Sequence, residues 1–312
     1  MNIIFFGTGA FGLPALDAIK NSHHKILTVV TTQDKPRGRH LEIRPSPVKE
    51  WALQNKFPLF QFTKINTEES IRGLKELGAD LFVVVDFGLI FSAEILRVPR
   101  LMPVNVHPSL LPRYRGAGPM QWALINGDGE TGVSIVRVIE KLDAGDILLQ
   151  KKTAILPDDD IVTLETRLSR LAAEALLQAI EKLEKGEGAL IPQEETHANY
   201  ARKLTKEDGH IRWDTPAGEI RNRVRAMKVW PGSYSFYEGR RLVIVETEFS
   251  AMEKDARIRP GTIFLASRKE GLFVAALDRI LEIRMLQLEG KKCLSAKDFL
   301  NGFPLKEGAV FE

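Results

Sequence analysis

The chain has 312 residues, a mass of 35.0 kDa and a formal net charge of +3, and at about 100–200 residues per domain this length predicts two domains. Hydrophobic residues make up 44% and charged residues 27% of the chain, which excludes disordered, collagen-like and fibrous proteins. No apolar run approaches the ~18 residues of a membrane helix, and the single cysteine, Cys293, excludes an internal disulfide and a cysteine-ligated metal cluster. We therefore expect a cytoplasmic protein that does not enter the membrane.

Strand and helix patterns alternate through the first half of the chain. Strands are predicted at Ile3–Phe6, Ile26–Val30, Leu81–Val85, Val104–Val106 and Val133–Val138, and helices at Leu13–Ile19, Ser46–Asn55, Glu68–Leu77 and Leu164–Leu183. Strands that alternate with helices imply right-handed crossovers. The fold class predicted for residues 1–189 is therefore α/β, with a doubly wound, mostly parallel, Rossmann-like sheet.

The pattern changes after residue 189. Residues 190–205 are polar and poorly periodic, and we interpret them as a linker. A helix beginning near Pro216 is followed by five short strands with polar turns, at Ser233–Tyr237, Arg241–Glu248, Thr262–Leu265, Leu272–Leu277 and Ile280–Leu286. Short strands punctuated by turns predict a small antiparallel β-barrel, OB-like, over residues 206–312.

The positive charge is unevenly distributed. Residues 1–190 hold 23 basic and 23 acidic side chains, whereas residues 191–312 hold 21 and 18. The whole excess lies in the C-terminal part, which weakly indicates a polyanionic partner there.

A glycine-rich turn follows the first predicted strand. Gly7, Gly9 and Gly12 fit G-x-G-x-x-G, and Asp34 lies roughly where an acid that binds a ribose would stand. Glycines let the backbone approach a pyrophosphate at a helix N-terminus, and any tight strand-to-helix turn also benefits from them. An NAD(P)-binding oxidoreductase is therefore one hypothesis for the function.

A second motif suits a different reaction. Asn105 and His107 are separated by one residue on a short predicted strand, so their side chains share a face. Asp143 follows 36 residues after His107, far enough for a loop to return a carboxylate to the histidine. An amide and an imidazole N–H can stabilise an oxyanion, and the histidine can move a proton. This set suits formyl transfer to an amine, which needs no serine or cysteine nucleophile.

The residues around this motif resemble the folate-dependent formyltransferases. The shared signature is Asn-x-His, a Ser-Leu-Leu-Pro turn and Leu-Asp-x-Gly-Asp, and the similarity extends nearly end to end. Supporting stretches are Pro45–Lys49, His107–Gly116, Gly127–Gly132, Lys203–Gly209, Trp230–Gly232 and Gly290–Asn301. Within the family, the chain is most similar to members that formylate methionine carried by initiator tRNA. The implied reaction takes a formyl group from 10-formyltetrahydrofolate.

The resemblance also implies roles for individual residues. Asn105, His107 and Asp143 match the catalytic trio. The folate positions are Ser109, Leu110, Leu111, Pro112, Gly88, Leu89 and Ile90. A basic loop after the second strand, Asp34–Lys49, is expected to contact the tRNA acceptor arm with Arg37, Arg39, His40 and Arg44. The C-terminal barrel would contribute Arg221, Arg225 and Lys228 to the tRNA interface.

Three stretches depart from the family pattern. Asp86 and Phe87 stand where many relatives carry a small residue and tyrosine, and Gly9 stands where they usually have proline. Residues 41–43 are less basic than their counterparts. None of these departures touches the catalytic trio.

Several alternatives stay open at this point. The same trio would serve a formyltransferase acting on a UDP-amino-sugar, a glycinamide ribotide enzyme or a hydrolase of the same folate. A non-catalytic RNA-binding module would leave the trio unused. We expect a monomer. We also expect no metal site, because three histidines near each other are absent and the side chains of the adjacent His23 and His24 should diverge.

Overall fold

Two main sheets organise the chain in the computed structural model, which describes residues 1–37 and 42–312. The chain divides into two units. Unit 1 comprises Met1–Pro119, Glu130–Ala154 and Glu165–Ala201, and unit 2 comprises Met120–Gly129, Ile155–Leu164 and Arg202–Glu312. The predicted linker, 190–205, is thus divided between the units after Ala201.

The first sheet has seven strands. In chain order, the strands of this part of the chain are β1 (Asn2–Gly7), β2 (Lys25–Thr32), β3 (Lys35–Arg37), β4 (Glu42–Arg44), β5 (Leu59–Phe62), β6 (Leu81–Val85), β7 (Met102–His107), β8 (Glu130–Arg137) and β9 (Ile147–Ala154). The sheet order is β5-β2-β1-β6-β7-β8-β9, and β3 pairs only with β4 in an antiparallel hairpin. The first five strands of that order, from β5 through β2, β1 and β6 to β7, are parallel to one another. Strands β8 and β9 add antiparallel pairs at the end of the sheet. The predicted mostly parallel sheet is confirmed.

Helices connect these strands. They are α1 (Leu13–Lys20), α2 (Pro47–Gln54), α3 (Glu68–Glu76), α4 (Ala93–Leu96), α5 (Pro119–Ile125) and α6 (Ile161–Glu184). Side-chain oxygens begin two of them: Ser46 accepts from the Lys49 N–H at the start of α2, and Thr67 accepts from the Ser70 N–H at the start of α3. Such caps satisfy amide groups that have no partner within the helix. In the described part of the chain, no helix combines the length and the hydropathy needed to cross a bilayer.

The strand order changes direction beside β1. The chain runs outward from β1 to β2 and β5 on one side, then returns to place β6 and β7 on the other. The crevice at the carboxyl ends of β1 and β6 is therefore the topological switch point, where open α/β sheets bind their ligands. The turns after β1, β6 and β7 all lie at this edge.

The second sheet lies in unit 2 and is antiparallel. Its strands are β10 (Ser233–Tyr237), β11 (Arg240–Phe249), β12 (Ile263–Ser267), β13 (Gly271–Ala275), β14 (Ile280–Leu288) and β15 (Leu294–Ser295), accompanied by α7 (Ala217–Ala226) and α8 (Ala296–Gly302). The order is β10-β11-β14-β13-β12, with β15 on β14. The predicted antiparallel second domain is confirmed, with one more short strand than the sequence pattern indicated.

The last residues of the chain join the two edge strands of this sheet. Glu312 exchanges two backbone hydrogen bonds of 2.9 Å with Phe236 in β10. On the other side, the Gly308 and Phe311 N–H groups donate to Ile263 and Gly261, at and before the start of β12. Phe311 is 3% exposed and its ring packs against Trp213 and Tyr237. The tail therefore pairs with both edges, which local strand patterns do not reveal.

Candidate active site

Asn105 and His107 lie at the carboxyl end of β7. In the sheet, Asn105 is opposite Val136 and His107 opposite Ser134, both on β8. Alternation along the strand places the two side chains on one face. His107 is 4% exposed, and Asn105 is half-buried. The strand thus presents an amide and an imidazole side by side, as the sequence spacing predicted.

Asp143 completes the group. Its Oδ1 accepts from Asn105 Nδ2 at 3.1 Å, and its Oδ2 lies 3.6 Å from His107 Nδ1. Oδ2 also accepts from the Gly116 N–H at 2.8 Å. The backbone of Asp143 has φ of +51°, a left-handed conformation that a non-glycine residue adopts only when its surroundings hold it there. The structure therefore brings the three predicted residues together.

The hydrogen bonds of His107 determine which nitrogen can accept a proton. Nε2 lies 2.8 Å from the carbonyl oxygen of Tyr114. A carbonyl only accepts, so Nε2 carries the hydrogen in the neutral ring, and Nδ1 is the basic nitrogen. A proton taken up on Nδ1 would lie beside the Asp143 carboxylate, whose Oδ2 is 3.6 Å away.

The Ser-Leu-Leu-Pro turn follows β7 and is braced from within. Ser109 is fully buried; its Oγ donates to the Arg113 carbonyl at 2.7 Å, and its own carbonyl accepts from Ser134 Oγ at 2.7 Å. Ser134 Oγ also accepts from the Leu111 N–H, and Gln150 donates to the Leu111 carbonyl. The Ser109 side chain therefore holds the turn, while Leu110 and Pro112 are half-buried and present its partly open side.

The other predicted folate segment follows β6 at the same edge. Gly88 and Ile90 are exposed, with Ile90 at 78%, and Leu89 is half-buried against the core of unit 1. The Ile90 carbonyl accepts from Asn66 Nδ2 at 2.9 Å. An exposed isoleucine at this edge of the sheet provides an apolar surface of the kind that a flat ring contacts.

Asp86 occupies the space above the glycine-rich turn. A Cβ on Gly9 would lie 1.9 Å from Asp86 Oδ2. A phosphate at this turn would meet that carboxylate, and like charges repel. Asp34 is also engaged, since its carboxylate pairs with Lys49 Nζ at 2.6 Å and accepts from Gln61. These contacts oppose the dinucleotide interpretation of Gly7–Gly12.

Glu165, near the start of α6, adds a second carboxylate close to Asp86. Burial raises the pKa of Glu165 above its ordinary value, and the negative charge of Asp86 raises it further. Glu165 was not predicted as a site residue, because it lies on a helix whose hydrophobic pattern indicates only packing.

Three further residues hold the site from the segment 191–201. Gln193 Nε2 donates to the carbonyls of Asp143 and Gly145 at 2.8 and 2.7 Å, and its Oε1 accepts from Arg115. Glu195 accepts from both terminal nitrogens of Arg115 at 3.1 and 3.0 Å. Asn199 Oδ1 accepts from the Tyr114 N–H. We call residues 191–201 the strap, because they connect the loop of His107 to the loop of Asp143.

Ion pairs of Glu195 with Arg115 and Lys141 stabilise the strap. Arg115 is fully buried, and its guanidinium, together with Lys141, lowers the pKa of Glu195 to about 2. These residues were not predicted, because a polar segment without periodicity is typical of a linker. Their side chains, which can donate or accept hydrogen bonds, were the available signal.

The predicted tRNA contacts fall into two groups. Arg39 and His40 lie outside the described residues, as does the side chain of Arg37, whose backbone pairs with Glu42 in the β3–β4 hairpin. Arg44 is exposed at the end of that hairpin.

The second group lies in unit 2 and is paired with acids and carbonyls of the same unit. Arg221 Nε lies 3.4 Å from Glu248, and Lys228 Nζ lies 2.7 Å from Asp160. Arg225 donates to the Asp159 carbonyl at 3.1 Å. Burial, and then the neighbouring Arg221, lowers the pKa of Arg225. These contacts give all three cations a role in holding unit 2 together.

Comparisons with known proteins agree with this geometry. Residues 1–180 match the family model of formyl transferases, and residues 203–304 match that of the formyl transferase C-terminal domain. A methionyl-tRNA formyltransferase of Sulfurihydrogenibium sp. is 39% identical over 100% of both chains. One from Thermodesulfovibrio yellowstonii is 42% identical over 98% of this chain and 97% of its own.

Solved structures show the same fold at lower identity. HypX from Aquifex aeolicus, in complex with tetrahydrofolic acid, superposes with a TM-score of 0.66 at 16% identity, covering 99% of this chain and 50% of its own. The sugar 3N-formyl transferase WlaRD superposes with a TM-score of 0.67 at 16% identity, covering 94% of this chain and 99% of its own. The identity of about 40% over the full length is shared with the methionyl-tRNA formyltransferases and not with these solved structures. The chain therefore belongs to the methionyl-tRNA formyltransferase family.

Proposed function

We propose that the chain transfers the formyl group of 10-formyltetrahydrofolate to the α-amino group of methionyl initiator tRNA. Full-length similarity to methionyl-tRNA formyltransferases supports the choice of acceptor. The observation that carries the chemistry is the contact of Asp143 with both Asn105 and His107 at the carboxyl edge of the sheet. Folate is a cosubstrate in this scheme, and the protein supplies orientation and charge.

The reaction begins when the amine nitrogen attacks the formyl carbon. A carbon–nitrogen bond forms, and the carbonyl electron pair moves onto oxygen. An amide side chain has two N–H groups, and Asn105 needs only one for Asp143 Oδ1. The second N–H can donate to the developing oxyanion, the interaction that contributes most to catalysis of acyl transfer.

Proton movement completes the transfer. His107 Nδ1 takes the proton that the attacking amine loses, and Asp143 stabilises the resulting imidazolium. The bond from the formyl carbon to the folate nitrogen then breaks, and tetrahydrofolate leaves with a proton returned by the histidine. The trio is neither consumed nor changed by one cycle.

The Asp86–Ile90 segment and the Ser-Leu-Leu-Pro turn are the proposed walls of the folate site. The turn contributes through its backbone and through Leu110 and Pro112, since Ser109 Oγ is occupied by Arg113. The β3–β4 hairpin region, with Arg37, Arg39, His40 and Arg44, is the proposed contact for tRNA phosphates. Residues 1–189 and 206–312 are the proposed catalytic and tRNA-binding domains.

Three substitutions test the proposal. We expect Asn105→Ala, His107→Ala and Asp143→Ala each to lower kcat by about 10²-fold or more, the effect of losing one oxyanion or acid–base group. The assay measures formylation of charged initiator tRNA, with a UDP-amino-sugar as the competing acceptor. Lys152→Ala, which removes an exposed lysine paired with Glu130 at 3.3 Å, is the control. Normal turnover in all three variants, or formylation of the sugar alone, would contradict the proposal.

A further inference from the structure

Two adjacent histidines meet a glutamate at the edge of unit 1 where the parallel strands begin. His23 and His24 lie in the turn between α1 and β2, and Glu184 is the last residue of α6. The sequence predicted that the two imidazoles diverge, and this prediction was wrong. Their ring centroids are 4.0 Å apart, with the His24 ring buried and the His23 ring at the surface.

The donor atoms of these residues have the spacing of a metal site. His23 Nε2 lies 2.9 Å from Glu184 Oε2, and His24 Nδ1 lies 3.9 Å from Glu184 Oε1. One donor atom from each residue falls within 4.8 Å of the other two. Ligands about 2.1 Å from a tetrahedral ion lie about 3.4 Å from one another, so small side-chain rotations suffice.

The donor set is rich in nitrogen. Two imidazoles and one carboxylate select zinc and its transition-metal neighbours over magnesium or calcium.

One side chain of the cluster is buried, and the other two are open to solvent. The His24 side chain is 1% exposed, whereas those of His23 and Glu184 are 65% and 39% exposed. The turn is held by hydrogen bonds from Ser22 Oγ to the Ile19 carbonyl and from the His24 N–H to Ser22 Oγ. An ion can therefore enter from solvent and find the inner histidine already in place.

We propose that His23, His24 and Glu184 bind one Zn²⁺ ion, which joins the α1–β2 turn to the end of α6. The site is distinct from the catalytic one. His24 precedes β2, whereas His107 ends β7, and these parallel strands separate the two edges by about 20 Å at 3.3 Å per residue. The ion would stabilise unit 1 and take no part in formyl transfer.

The test measures zinc binding by protein that carries no polyhistidine tag and has been stripped with a chelator. Titration calorimetry is expected to give one equivalent of Zn²⁺, and Co²⁺ to give the absorption of a tetrahedral site. Excess Zn²⁺ should raise Tm, since a ligand that binds only the folded chain stabilises it. Formylation of tRNA should not change.

Variants at the two exposed ligands identify the site without disturbing the core. His23→Ala and Glu184→Gln should each weaken Zn²⁺ binding by at least about 10–100-fold, the loss seen when even a supporting partner of a ligand is removed. His197→Ala, which removes an exposed histidine beside a single glutamate, should leave binding unchanged.

Two results would overturn the proposal. Saturable binding of equal strength in His23→Ala, Glu184→Gln and the parent chain would place the ion elsewhere. Loss of metal-free stability in these variants, with no response of the parent chain to Zn²⁺, would identify the cluster as an ion pair only.

Discussion

Gly9 and Asp86, the two departures from the family pattern around the first turn, are neighbours in space. The backbone at Gly9 has φ of −81° and ψ of 171°, an extended conformation open to any L-residue. What excludes a side chain there is the Asp86 carboxylate, 1.9 Å from the position of a Cβ. The two departures are therefore one structural change: the aspartate occupies space that a larger residue at position 9 would need.

This coupling is measurable. Gly9→Ala should destabilise the chain by about 1 kcal/mol, the lower end for overpacking because the carboxylate can rotate away. In an Asp86→Ala background, the same substitution should cost almost nothing. Denaturant unfolding of the four members of the cycle gives the interaction energy. Additive effects would mean that Asp86 does not restrict position 9.

Glu165 predicts a pH dependence of stability. Its pKa is raised in the folded state, first by burial and then by Asp86, from the ordinary 4.5. The folded chain therefore binds this proton more tightly than the unfolded chain, and stability falls as pH rises from 4.5 through the raised pKa. Above that window, the ionised carboxylate destabilises the fold.

Glu165→Gln should accordingly raise Tm at pH 7–8, and the difference from the parent chain should vanish below pH 4.5. Asp86→Asn removes the smaller cause of the raised pKa of Glu165. It should therefore also raise Tm at pH 7–8, but by less than Glu165→Gln does, because burial is the larger cause. Thermal unfolding over a pH series measures both. A constant difference at all pH values would assign the effect to packing.

Among the elements, the strap has the clearest consequence for catalysis. It belongs to unit 1, yet its regular structure is one short 3₁₀ turn, Glu195–His197, and two isolated bridges, Ile191 with Ile147 and Tyr200 with Arg115. Backbone hydrogen bonds hold its two ends, and side chains hold the part between them. Gln193 donates to the backbone of the Asp143 loop, and Asn199 accepts from the backbone of Tyr114. The carbonyl of Tyr114 in turn orients His107.

Gln193 is therefore a positioning residue. Gln193→Ala should lower kcat by roughly 10–10²-fold with little change in KM for the tRNA, since misplacement of catalytic groups by about 1 Å has effects of this size. Gln193→Glu should not rescue, because a carboxylate cannot donate to the Asp143 and Gly145 carbonyls. Steady-state kinetics of the parent chain and of both variants, at temperatures well below the Tm of each, measure these effects.

The control for the strap is the neighbouring residue. Glu194 is exposed and pairs with the exposed His197, so Glu194→Ala should leave kcat unchanged. An equal rise of KM in Gln193→Ala and Glu194→Ala, with kcat unaltered, would show that the strap serves tRNA binding instead of the trio.

For the whole molecule, charge placement decides where a polyanion can bind. The excess of basic residues lies after residue 190, but Arg221, Arg225 and Lys228 are held by groups of unit 2. Among the predicted tRNA contacts, those of the segment Asp34–Lys49, which holds five basic and two acidic residues, are therefore expected to contribute more to electrostatic affinity than these three.

Salt dependence separates the two regions. Replacing Arg37, Arg39 and Arg44 together by glutamine should reduce the slope of log K against log salt by about 2–3, at roughly 0.7–0.9 per phosphate contact. Lys228→Gln should instead lower the stability of unit 2, since it removes the pair with Asp160. Binding of tRNA from 50 to 300 mM salt measures the slopes. An unchanged slope in the triple variant would mean that this segment does not touch phosphate.

Local pattern determined most of the architecture. Period-2 and period-3.6 hydrophobicity identify the strands and helices, because each signal depends only on residues within one element. The alternation of β and α in the first half, and of short strands and turns in the second, was enough to predict that both sheets exist, although the edge strands β5 and β9 of the first sheet were not predicted. Asn105 and His107 were predictable for the same reason, since one intervening residue on a strand places them on one face.

Tertiary structure alone decided the contacts between distant segments. The approach of Asp143 to His107, the bracing of both by the strap, the coupling of Gly9 to Asp86 and the meeting of His23 with Glu184 all join residues far apart in the chain. Such contacts depend on how whole elements pack, and no periodicity within one element records them. The sequence thus identified the reactive groups, whereas the fold decided which polar residues hold them and where a metal ion can bind.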